Sequence, residues 1–310
     1  MKLLSFTLIE LIFVIVILGI MGLISFDIIF RVYDNFATQR NILVLQQQTS
    51  RTLKQLEHYF NSAISDSMVM GKDAVPADAE DIFSTDYTEG NLEDNNFTWI
   101  HRSKELLRGV WSNPLQENYP VFSGIIDVNA SDDDEMQVFD SNLSWFDSMA
   151  ENLTQQADFN ITNGGNVNYR SALYFTSAET AGTTQTRFWN GENSGSLFGI
   201  RRVGQVGYDS NLTLSKAPTE IGEKAWITHT ALGLRLNDDR NLTLVTNFRP
   251  WNPENARIST GTEHTICKNV ESLRIWGSTA RTMIRIRLCL SMNFDDADTR
   301  TYCKEAMVLR

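Results

Sequence analysis

Apolar positions fall into three regimes along the chain. Residues 6–26 are almost continuously apolar, with one ionisable group among 21 positions. Beyond them the apolar residues space out. Ile42, Leu45, Thr49, Leu53, Leu56, Phe60 and Ala63/Ile64 recur every three or four positions. That spacing marks one face of an amphipathic helix. No proline interrupts residues 6–66, so the pattern predicts one helix of about 60 residues, closed by Gly71 and Pro76. After residue 165 the period changes to that of strands. YRSALYFTS, SLFGIRRVG, AWITHTALGLRL, NLTLVTNF, ESLRIWGS, RTMIRIRLCL and YCKEAMVLR are short, β-branched or aromatic, and separated by turn residues. In RTMIRIRLCL, Ile284, Ile286, Leu288 and Leu290 share one face, and Arg285, Arg287 and Cys289 the other. The dry face is expected against the long helix. The fold class is therefore α+β: a long N-terminal helix packed on a mostly antiparallel sheet.

Between these parts, residues 67–97 are acidic and poor in apolar side chains, which predicts an exposed loop. The expected organisation is a leader at 1–5, a transmembrane half-helix at 6–30, and an amphipathic half-helix at 31–66. An acidic, variable loop region at 67–165 and a β domain at 166–310 complete it.

The run 6–26 spans roughly 31 Å at 1.5 Å per residue, the thickness of a bilayer core. Lys2 precedes it and favours a cytoplasmic N-terminus with an exported body. The run is too long for a cleaved signal peptide and no small-residue cleavage site follows it. It also holds Glu10, and an unpaired carboxylate at mid-bilayer costs about 2.5–3.5 kcal/mol.

SFTLIELIFVIVILGI resembles the N-terminus of type IV pilins and type II secretion pseudopilins. In that family a short basic leader precedes a phenylalanine, and a glutamate stands fifth in the mature chain. The resemblance covers about 25 residues. It implies cleavage between Ser5 and Phe6 by a prepilin peptidase, N-methylation of Phe6, and assembly with other pilin or pseudopilin subunits on an inner-membrane platform. It also implies a partner for Glu10, the α-amine of a neighbouring subunit, which removes most of the penalty of a lone charge in lipid. Ser5 departs from the glycine usual before the cleavage point. The last strands resemble those of minor subunits of the PilW or J type. The K-type subunit is similar in length but lacks the glutamate found here as Glu10. The expected location is the bacterial inner membrane with a periplasmic body, then a periplasmic or extracellular filament. A tip adhesin on the same scaffold and a plain anchored periplasmic protein are the competing readings.

Charge and chemistry refine this. The net charge of −11 disfavours nucleic acid as a partner. The three cysteines form no C-x-x-C pair. If the last two strands pair, Cys289 falls opposite Cys303 and Arg287 opposite Glu305, which makes Cys289–Cys303 the preferred disulfide, with Cys267 the alternative partner. Six of seven Asn-x-Ser/Thr sequons, at Asn96, Asn129, Asn142, Asn160, Asn211 and Asn241, have aspartate two positions earlier; Asn152 lacks it. This extended sequon resembles that of the Campylobacter-type bacterial oligosaccharyltransferase, and implies glycans on exposed, exported loops. The bland reading is that Asp, Asn, Ser and Thr cluster in turns. No nucleophile, P-loop or dinucleotide motif occurs, and the four histidines form no metal-binding pattern. An enzyme is not expected, nor a cofactor. Calcium is the one cation considered, for the carboxylates of 131–135 and 295–298, which lack EF-hand spacing.

Overall fold

The computed structural model describes residues 8–72, 79–84, 90–92, 95–112, 117–132, 135–146, 149, 169, 171–176, 182–202, 211–252, 256–295 and 298–309. It is α+β, as the two periodicities require. Helix α1 runs Leu8–Asn61, 54 residues. Its first half carries apolar side chains from Leu8 to Phe36 that are exposed among the described residues. Its second half buries Leu45, Thr49, Thr52, Leu53, Leu56 and Phe60, the stripe that the spacing predicts. The helix ends ten residues before Gly71, earlier than expected. The N–H groups of Ser62 and Ala63 bond back to Tyr59 and Phe60 at 3.1 Å, and Ile64 N–H then donates to Ile100 O at 2.9 Å. Pairing with a neighbouring strand thus competes with the last helical turn and wins.

That strand is β4 (Asn96–His101), in a six-stranded sheet with β1 (Val69–Gly71), β2 (Glu80–Asp81), β13 (Thr230–Leu236), β14 (Leu242–Phe248) and β15 (Thr262–Cys267). The spatial order is β15-β14-β13-β4-β1-β2. A second six-stranded sheet has the order β12-β9-β10-β11-β8-β7. It comprises β7 (Ile126–Asp127), β8 (Glu135–Val138), β9 (Ser171–Phe175), β10 (Phe198–Arg202), β11 (Asn211–Leu214) and β12 (Ala225–Thr228). A third sheet joins β3 (Gly90–Asn91) to β16 (Val270–Gly277), β17 (Met283–Asp295) and β18 (Asp298–Leu309). The hairpin β5 (Val110–Ser112) and β6 (Glu117–Tyr119) stands apart, and α2 (Glu105–Arg108) and α3 (Thr184–Phe188) are short. Every described strand pair is antiparallel.

Ile284, Ile286, Leu288 and Leu290 are fully buried in one cluster with Leu45, Leu53, Leu56 and Phe60 of α1. Phe60 meets Trp99 edge-on at 5.1 Å and Phe97 at 5.4 Å between ring centroids, a favoured aromatic geometry. The expected loop region 67–165 is where structure and sequence part. Its described residues include β1 to β8, and Met68, Val69, Ile82, Phe83, Leu92, Phe97 and Trp99 are buried. β4 lies between β13 and β1 and is covered on both faces, so its residues 97–100 are all buried. The run AWITHTALGLRL, expected as one strand, is two. β12 belongs to the second sheet and β13 to the first, and His229 is the joint between them.

Candidate functional site

Glu10 lies in the first turn of α1, on the exposed apolar part. The helix is long and apolar enough to cross a membrane. Ser5 and Phe6 lie outside the described residues. Glu10 is exposed, and among the described residues no hydrogen bond or ion pair involves its carboxylate.

The C-terminal hairpin has the expected register. Cys289 stands opposite Cys303 and Arg287 opposite Glu305. The disulfide Cys289–Cys303 is formed, and Cys267 is a free, buried thiol whose pKa burial pushes up.

The sequons sit at turns and strand starts. Asn129 is exposed in the turn after β7, where the carboxylate of Asp127 accepts the N–H groups of Asn129 and Ala130 at 3.1 and 3.3 Å. The aspartate two positions before this asparagine thus has a local job, an Asx turn. Asn96 opens β4 and its amide donates to Lys72 O at 2.9 Å. Asn211 opens β11 and its amide donates to Glu135 Oε1 at 2.7 Å. Both are half-buried, in strands rather than the exposed loops expected of them. Asn241 is half-buried just before β14, and Asn142 is half-buried beside the 3-10 turn Leu143–Trp145. Asn160 and Asn152 lie outside the described residues.

An ion-pair cluster ties the helix end to the sheets. Arg281, at φ +57°, reaches Asp66 at 3.5 Å and also Asp81. Arg187 approaches Asp66 at 3.8 Å, Tyr174 OH donates to Asp66 at 3.4 Å and Thr184 to Asp81 at 2.8 Å. Burial first, and the Asp66 charge second, push the Tyr174 phenol up to about 12. Among the described residues no group of three metal-ligating side chains forms, so neither acidic stretch gains calcium-site geometry there; Asp133, Asp134, Asp296 and Ala297 lie outside them.

One arrangement has no motif in the sequence. Three of the four histidines line a single cavity of about 310 Å³. His101 ends β4, His229 joins β12 to β13, and His264 lies in β15. Tyr59 of α1, Ser103, Glu105, Thr230, Leu232, Thr246 and Asn247 complete the lining. Adjacent strands β15-β14-β13-β4 put these residues side by side although they are far apart in the chain. His229 is 4% exposed; its Nδ1 is 2.7 Å from Ser171 Oγ, and Arg249 Nε donates to its carbonyl at 3.2 Å. Ser171 is fully buried. Among the described residues, buried His229 Nε2 and His101 Nδ1 have no hydrogen-bond partner. Burial, with Arg249 and His101 adding positive charge, pushes His229 down to about 3. His101 is pushed down to about 4, again chiefly by burial, with Glu105 opposing. Both rings are therefore neutral at pH 7. A run of polar residues, Thr228-His229-Thr230, inside an apolar strand was the one sequence signal for this place.

Comparison with family models, with curated proteins and with solved structures finds no match to this chain.

Proposed function

We propose that this chain is a minor pilin or pseudopilin, a structural subunit built into or capping a type IV pilus or type II secretion pseudopilus after removal of a leader. The observation that carries the reading is the division of α1. One continuous helix leaves its first half apolar and uncovered, with Glu10 in its first turn, while its second half is the core element of a β domain. A plain anchor needs only apolar length. It does not need the anchor to be rigidly continuous with the domain core, and it has no use for a carboxylate in lipid. A helix bundle built from several copies uses both features: the apolar faces pack together, and each Glu10 meets the freed α-amine of Phe6 on a neighbour. The work is done by assembly, on an inner-membrane platform, and no catalytic group is required.

Mass spectrometry of the N-terminal peptide of the native protein tests this. A chain that begins at N-methylated Phe6 is the expected result. A native chain retaining MKLLS overturns the reading in favour of an ordinary membrane anchor. A second test is Glu10→Leu, which should insert in the membrane and fail to enter filaments; normal incorporation refutes the role given to Glu10.

A further inference from the structure

The cavity on the first six-stranded sheet, beside the β12–β13 joint, has the composition of a binding site. Nine of its ten lining residues carry a side-chain hydrogen-bonding group, and Leu232 is the exception. Four of them are aromatic or imidazole rings: Tyr59, His101, His229 and His264. Its volume of about 310 Å³ lies at the lower end of the ~300–1,000 Å³ range of small-molecule sites, which suits one ring rather than a chain.

The backbone around it breaks the regularity of the sheet. The β13–β14 pairing shifts register between Ala231 and Gly233. Asn247 is held at φ +62° while its N–H donates to Thr230 Oγ1 at 2.9 Å. Gly233 lets Ile258 pack closely on the strand there, since a Cβ would lie 2.3 Å from Ile258 Cδ1 and displace that side chain. Bulges and left-handed non-glycine residues re-aim side chains and gather at functional sites.

Charge and pairing select the ligand class. No Lys or Arg lines the cavity, and its single formal charge is the carboxylate of Glu105, fixed by Ser103 Oγ at 3.1 Å. An anion would enter without a counter-charge and beside a like one. A metal ion finds no group of three ligands among the described residues. A cation would have only Glu105, which the neighbouring Lys104 and Arg102 already offset. A purely apolar ligand would strip water from the Asn247 side-chain amide and the Glu105 carboxylate without replacing its hydrogen bonds, which is costly. What remains is a neutral molecule with many hydroxyls and one apolar face.

The geometry points to this cavity as a binding site for a single neutral sugar ring. The Asn247 side-chain amide and the Glu105 carboxylate pair its hydroxyl groups, and the Tyr59 and His264 rings cover its C–H face. The inference stands apart from the filament reading, because an uncleaved anchor would carry the same cavity.

The test uses the full chain in micelles of a zwitterionic detergent without a sugar headgroup. Saturation-transfer NMR is recorded with glucose, galactose, mannose and N-acetylglucosamine in turn, and with acetate, n-butylamine and zinc chloride titrated as controls. Saturation of at least one hexose is expected. Asn247→Gly keeps the left-handed backbone and removes the amide, and should weaken that hexose about tenfold, the effect of one hydrogen bond. Glu105→Gln and His264→Ala, both at exposed positions, should each weaken it with an unchanged circular dichroism spectrum. The proposal is overturned if no hexose is saturated, if all three variants bind as the parent does, or if a control ligand rather than a hexose is lost in them.

Discussion

The two buried histidines make acid sensitivity a quantitative expectation. An unfolded histidine titrates near 6.5, while His229 is held at about 3 and His101 at about 4 in the fold. Above pH 6.5 both rings are neutral in both states and stability is unaffected. As pH falls below 6.5 the unfolded chain takes up protons that the folded chain refuses, so stability falls, and the fall ends only when the folded rings themselves titrate. Each group loses up to about 1.4 kcal/mol per pH unit in that window. Between pH 7 and pH 5 this amounts to about 2 kcal/mol for each histidine and about 4 kcal/mol for both. That is a large part of the ~5–15 kcal/mol available to a typical domain. Urea unfolding of the full chain in micelles, followed by tryptophan fluorescence at half-unit steps from pH 7.5 to 5, measures it. His229→Asn places an amide near the position of Nδ1, keeps a partner for Ser171, and removes one titrating ring. It should halve the slope while lowering stability at pH 7.5. A midpoint that does not move between pH 7.5 and 5, or a slope unchanged in His229→Asn, would refute the assignment of these rings as buried and neutral.

Phe60→Ala removes a fully buried ring packed on Phe97 and Trp99 and should cost about 3–5 kcal/mol in the same unfolding assay. Cys289→Ser with Cys303→Ser opens a loop of sequence separation 14, and chain entropy puts the loss at about 3 kcal/mol; reduction of the parent protein should reproduce it. Gly261→Ala would put a methyl 2.6 Å from Thr246 O and 2.5 Å from Val245 Cγ1. Overpacking of this kind costs about 1–3 kcal/mol, seen as a lowered melting temperature. If an oligosaccharyltransferase acts on the folded protein, glycopeptide mapping should find Asn129 modified, and Asn96 and Asn211, whose amides are engaged, unmodified. Equal occupancy at all three would mean that modification precedes folding.

What the sequence discloses depends on whether the determining contacts are local. The stripe from Leu45 to Phe60 is a property of one helix and survives in the spacing, and so it predicts the buried face residue by residue. β17 and β18 are consecutive in the chain, so alternation and one cysteine pair fix their register. β4 fails on both counts. It is covered on both faces, so Thr98 and Ile100 are buried along with Phe97 and Trp99 and no alternation remains. Its partners β13 and β1 come from opposite sides of it in the chain. The acidic composition of residues 67–97 reflects connections between very short strands, and it hides the few apolar residues, Ile82, Phe83 and Leu92, that anchor them.

The same distinction governs the two functional readings. Glu10 is informative from sequence because a bilayer is a uniform solvent: any carboxylate inside a membrane-length helix violates its rule, whatever the rest of the chain does. The histidine cavity obeys no such rule. His101, His229 and His264 arrive on β4, at the β12–β13 joint and on β15, and only the strand order brings them together. A motif search reads spacing along one segment and is blind to a site whose ligands come from three. The signal that does survive is energetic. Thr228-His229-Thr230 interrupts an apolar strand with polar groups that end up buried or half-buried, and among the described residues neither His229 Nε2 nor Nδ1 of His101, opposite Thr230, has a hydrogen-bond partner. Buried nitrogens without a partner oppose folding by about 1–3 kcal/mol each, so this place costs stability that an apolar strand would not.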